Sequence, residues 1–191
     1  MAKILRLGWI LVREGVISKE QMEQALDVQK RKFPDQSLGE VVSRLFTIPE
    51  EEIETIFINH ILFHVVTDWF YREIGQKMGK TSQEIEAIIP HITLTLNGYT
   101  RLATRKTTFA RKGKHFHPTS SRTALSQILA EFDRIEFVST LGDPLVFSGV
   151  QIEYDVQTQH LKIGDQSIGL QVKVRLTQMM KGSQKAAEAA G

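Results

Sequence analysis

The sequence predicts an α+β protein in which an N-terminal all-α module of tandem helical pairs precedes a small α+β domain with a mainly antiparallel sheet. Two observations carry this. A stretch reading RLGWILVREGVISKEQMEQALDVQ over 6–29 is echoed from residue 37 by SLGEVVSRLFTIPEEEIETIFINH, so one helical pattern occurs twice. From residue 91 onward the texture changes to strand-like alternation, as in His91-Ile-Thr-Leu-Thr-Leu and Val150-Gln-Ile-Glu-Tyr-Asp-Val. The expected organisation is a helical module over 1–60, a helical connector over 61–90, the α+β domain over 91–178 and a flexible tail over 179–191.

Leu7, Ile10, Leu11 and Val12 stand at helical spacing, and Gly15 follows where a left-handed C-cap costs least. A first helix of about two turns should end there. Ser18 with Gln21 three residues on reads as a capping box for a second helix from about 19 to 31, with Met22, Ala25, Leu26 and Gln29 on one face. Phe33-Pro34-Asp35 interrupts it, because proline disfavours helical geometry in the residue before it and has no amide proton. The pattern restarts at Leu38-Gly39 with Val41, Val42 and Leu45, then passes Pro49 to the acidic triplet Glu50, Glu51, Glu52, which suits the positive end of a helix dipole.

Residues 50–77 continue as an apolar helical stretch too broad for a single stripe, which predicts burial against more than one neighbour. Gly75 and Gly79 mark a break, and Thr81 with Glu84 caps a short helix that Pro90 ends. Strands are expected at 91–96, turning at Asn97-Gly98, and at 134–138, 150–156, 160–163 and 170–176. Between them Leu125, Ile128, Leu129 and Phe132 predict a helix over 119–132, and the small polar residues from Lys181 predict a frayed end or an isolated helix.

The span from Arg6 to about His60 resembles the MshEN domain, the N-terminal module of type II secretion and type IV pilus assembly ATPases and of other bacterial signalling proteins. The residues that carry the resemblance in the first unit are Arg6, Leu7, Gly8, Leu11, Gly15, Val16, Ile17, Met22, Leu26 and Gln29. The second unit keeps Leu38 and Gly39, but Ser37 stands where the family has arginine, Phe46 where it has the second glycine, and His60 where it has glutamine. The resemblance implies cyclic di-GMP as ligand, held by Arg6, Leu7, Gly8 and Gln29, with Leu38, Gly39 and His60 completing the second half. Those residue types suit such a ligand, since arginine pairs bidentately with phosphate or guanine acceptors, glycine admits close backbone approach and histidine stacks on or hydrogen-bonds a base. With the second arginine and glycine missing, binding is expected to be weak. The alternative is a ligand-free protein-docking module for a secretion, pilus or motility assembly, in which the Leu-Gly pairs serve helix packing alone.

Other chemistry is excluded or disfavoured. Lys plus Arg number 24 against 22 Asp plus Glu, so no whole-protein electrostatic mechanism is indicated. With no cysteine there is neither a disulfide framework nor a thiolate zinc site. His60, His64 and Asp68 share one helical face at metal-ligand spacing, but a polar edge on a buried helix is the better reading and no metal site is expected. No Walker A sequence or catalytic constellation occurs, so a non-enzymatic adaptor without a cofactor is predicted. Neither a signal peptide nor an apolar run near the roughly 20 residues of a bilayer span is recognised, which makes the cytoplasm the expected compartment. Ala87–Ala130 contains no acidic residue while Arg101, Arg105, Lys106, Arg111, Lys112 and Lys114 accumulate, a candidate partner patch for phosphates or carboxylates.

Overall fold

The structure is a computed structural model that describes residues 6–105, 108–110, 122–124, 127–164 and 167–189. The chain is α+β overall and divides into two compact units, the boundary falling between Leu62 and Phe63 within one helix.

In the first unit, α1 (Leu7–Arg13) ends before Gly15, whose φ of 73° is the left-handed cap its sequence position predicts. Then α2 (Lys19–Lys32) opens on the reciprocal capping box of Ser18 and Gln21. A second box, between Ser37 and Glu40, opens α3 (Leu38–Phe46), and Thr47 closes that helix in the left-handed region at φ 55°. The next helix, α4 (Glu50–Trp69), follows with Glu50, Glu51 and Glu52 in its first turn. Ile10, Leu11, Ala25, Val41, Val42 and Ile56 are buried to within 1% and form the core of this unit.

The second unit begins in the last turns of α4, which pass into a π-helical segment, Phe70–Ile74, and then α5 (Gly75–Lys77). A π turn inserts an extra residue, rotating the side chains that follow. Phe70, Tyr71 and Ile74 are all buried there. Gly75 is helical and no break: a Cβ on it would stand 3.0 Å from the Lys80 carbonyl oxygen, so it permits the close return of the chain. The helix stops instead at Gly79, at φ 64°, and the Thr81–Glu84 box starts α6 (Ser82–Ile88) as its sequence predicts.

Seven strands among the described residues form one sheet, and every pairing is antiparallel: β1 (His91–Leu96), β2 (Tyr99–Ala103), β3 (Thr108–Ala110), β4 (Arg122–Ala124), β5 (Gln127–Val138), β6 (Leu145–Asp155) and β7 (His160–Ile163). Their order is β3-β2-β1-β5-β6-β7, with β4 also on β5. The β1–β2 turn is Asn97-Gly98, both at positive φ, and its Gly98 amide donates to Asp133 Oδ2 at 2.7 Å. Between β5 and β6 the ladder passes over Asp133 and Gly149, where Gly149 takes φ 62°. Buried positions on β5 change parity here, from Ile128 and Phe132 to Ile135 and Phe137, while the register with β6 stays the same on both sides. Phe63 meets Phe132 edge-on at 5.6 Å and Phe70 stacks on Phe137 at 4.4 Å.

Two expectations fail here. The helix expected over 119–132 is replaced, where it is described, by β4 and the first half of β5; Leu125 lies outside the described residues. Ile128 and Phe132 are four apart and fit either a helical face or strand alternation, and pairing with β6 selects the strand. Conversely, the strand expected over 170–176 is the first part of a helix, α7 (Ser167–Ala189), which runs on through the end expected to fray or to form a helix of its own. Val172 and Leu176 share its buried face while Leu170 and Val174 are exposed, a division that only helical periodicity produces.

Candidate functional site

The Leu-Gly pairs of the first unit meet. A Cβ placed on Gly8 would lie 3.1 Å from Met22 Cγ and Sδ and 3.2 Å from Leu38 Cδ2, whereas one on Gly39 would lie 3.6 Å from both Ile53 Cγ2 and Leu7 Cδ2. Each glycine thus faces one residue of its own helical pair and the leucine of the other pair. The offsets agree, since 39 minus 8, 53 minus 22 and 38 minus 7 all give 31. A reciprocal contact of this kind is what an approximate two-fold relation between the pairs produces.

The same offset sets Arg6 against Ser37, Trp9 against Glu40 and Gln29 against His60. Arg6 directly precedes α1, is exposed and caps nothing with its side chain. Trp9, which is not among the residues that carry the resemblance, is 48% exposed, and Leu26 on α2 is 44% exposed. Leu7, Leu38 and Gly39 are half-buried and Gly8 is buried. In the second pair, Ser37 and Glu40 engage each other: the Ser37 amide donates to Glu40 Oε2 at 2.6 Å and the Glu40 amide to Ser37 Oγ at 3.2 Å. The hydrogen bond from the Ser37 amide, and then that with its hydroxyl, holds the Glu40 carboxyl below its ordinary value.

Of the expected ligand contacts, Gln29 is otherwise employed and His60 is buried. Gln29 Nε2 donates to the Gln36 carbonyl at 2.8 Å, bracing the loop between α2 and α3. His60 is only 4% exposed, so its ring does not offer a face for a base to stack on, a correction that follows from the all-round burial of the middle of α4. The line of His60, His64 and Asp68 is likewise broken up, since Asp68 pairs with Arg72 at 3.2 Å. Among the described residues no group of three or more His, Asp or Glu side chains is placed to hold a metal ion.

The basic segment is also rearranged. Arg101 is completely buried, its guanidinium 5.1 Å from the ring centre of Phe63 and 5.0 Å from that of Tyr99. It is a core cation held against two aromatic faces and not part of a partner surface. Arg105 Nε is 2.7 Å from Glu86 Oε2, so an acid from α6 answers it. Burial, foremost, and then the Glu86 charge raise the phenol of neighbouring Tyr71, whose hydroxyl donates to the Ile89 carbonyl at 3.0 Å. Lys106, Arg111, Lys112 and Lys114 lie outside the described residues. Alternating basic residues gave no sign that one of them points inward; the clue was the placement of Arg101 at an inward position of a strand pairing with β1.

No family model, curated protein or solved structure matches this chain. No helix among the described residues is long and apolar enough to cross a membrane.

Proposed function

We propose that the first unit is an MshEN-like module and that the chain is a non-enzymatic bacterial signalling or adaptor protein whose input is cyclic di-GMP, bound weakly. The observation that supports this reading is Arg6, exposed directly before α1 and next in sequence to the Leu-Gly pair, because the packing of Gly8 on Leu38 and Gly39 on Leu7 alone fits a docking module equally well. Two such pairs brought together form a surface with the approximate symmetry of a cyclic dinucleotide. Arg6, exposed at the entry to α1, supplies the charge-assisted contact to phosphate or guanine. Ser37 has no such charge, and the lost contact costs about 1.5–3 kcal/mol, or roughly ten- to a hundredfold in affinity.

A second reading is favoured by Trp9 and Leu26, two large exposed apolar side chains on adjacent helices. They suit a docking surface for a protein of a secretion, pilus or motility assembly. Isothermal calorimetry of the full chain with cyclic di-GMP separates the two. Heat that disappears in Arg6→Ala supports the nucleotide; no heat at high micromolar ligand removes it and leaves docking.

A further inference from the structure

The two helical pairs differ in chemistry at equivalent positions. At equivalent positions the first pair offers Arg6 and Trp9, both exposed, and the second offers Ser37 and Glu40, locked onto each other. The locked pair also shows that these two positions, the residue before a helix and the third within it, lie within touching distance. In the first pair the Trp9 amide donates to the Arg6 carbonyl at 3.0 Å, so the two residues are neighbours in the first turn of α1. One half joins a cation to an open aromatic face, as a nucleotide's phosphate and base require. The other presents a carboxylate that the Ser37 amide keeps ionised, and a second phosphate brought to it meets like charge.

We propose that the surface is one-sided: it recognises a single guanine nucleotide moiety through Arg6 and Trp9, and takes cyclic di-GMP by one of its two identical halves. This rests on the nucleotide reading of the module and adds a specificity to it. Trp9 is a stacking contact of the first half, and Glu40 is the residue that closes the second. A mononucleotide and the cyclic dinucleotide then bind nearly alike, the latter favoured only about twofold because it offers two equivalent halves.

The test is calorimetry of the full chain with GMP and with cyclic di-GMP under one salt condition. Dissociation constants within about threefold of each other support the proposal. A cyclic dinucleotide that binds ten or more times tighter than GMP overturns it while leaving the nucleotide reading intact, and no heat with either ligand at high micromolar concentration overturns both. Trp9→Ala, which removes an exposed side chain, should weaken both ligands by the same factor, about five- to a hundredfold for one lost stack. The double substitution Ser37→Arg with Glu40→Trp copies the first half onto the second. It should tighten cyclic di-GMP at least tenfold relative to GMP, provided thermal unfolding shows the variant folded; a folded variant without selective gain rejects the one-sided site.

Discussion

Gly8 lies against Leu38, and Leu7 against Gly39, so each Leu-Gly pair supplies both the ridge and the gap for the other. The two gaps are not equally tight. Gly8→Ala places a methyl 3.1–3.2 Å from Met22 and Leu38 together, whereas Gly39→Ala finds ordinary contact at 3.6 Å. Gly8→Ala should destabilise the protein by about 1–3 kcal/mol through overpacking, and Gly39→Ala should be neutral or slightly stabilising because alanine favours a helix by about 1 kcal/mol. Urea unfolding of the two variants checks this. Equal effects would mean that the pairs do not interlock in the observed way.

Arg101 is expected to behave as a core residue. Arg101→Ala removes a fully buried side chain from between Phe63 and Tyr99 and should cost about 3 kcal/mol or more, comparable to other large-to-small core changes. Arg101→Lys keeps the charge but loses the planar stack, and should cost about 1–2 kcal/mol. Denaturant midpoints measure both. A surface residue would change stability by less than about 0.5 kcal/mol, and that outcome would return Arg101 to the partner patch.

Two titrations act on stability in opposite directions. The Glu40 carboxyl sits below its ordinary value of 4.5, so its contribution is present above that pH and is lost as pH falls through the lowered value. Glu40→Gln keeps a competent capping box without the titration. The stability gap between the parent and this variant should therefore narrow from pH 5.5 to pH 3, and a constant gap counts against the capping charge. The Tyr71 phenol is raised from its ordinary 10.0 by burial first, so the folded state loses stability as pH climbs past 10. Comparing parent and Tyr71→Phe in thermal melts between pH 9 and pH 11 should show the parent declining faster.

Helix α7 separates residues that a strand would group. Leu176→Ala should cost about 2–4 kcal/mol, as for other buried leucines, while Leu170→Ala at a position 61% exposed should stay within about 0.5 kcal/mol. Similar losses at both positions would favour one apolar face and hence a strand.

Local chemistry determined much of this protein without reference to its folding partners. The Ser18–Gln21 and Thr81–Glu84 boxes, the cap at Gly15, the turn at Asn97-Gly98 and the strands at 91–96 and 160–163 were legible because each depends on neighbours within a few residues. The repeat was legible for the same reason, as a spacing along the chain. Where two periodicities coexist, the sequence is ambiguous. Ile128 and Phe132 satisfy a helix and a strand alike, and it is β6, more than a dozen residues onward, that provides the hydrogen-bonding edge. In 170–176 alternation pointed to a strand, yet the buried pair Val172 and Leu176 is one helical turn apart, and packing against the π-helical segment settles the choice. Candidate site residues divide in the same way. Arg6, Gly8 and Gly39 were visible as motif letters, but that Gln29 braces a loop, that His60 and Arg101 are buried and that Glu86 answers Arg105 are facts of distance between remote residues. Sequence alone determined which groups this protein carries, whereas tertiary structure decided which of them meet solvent, because burial belongs to the packed chain and not to a residue type.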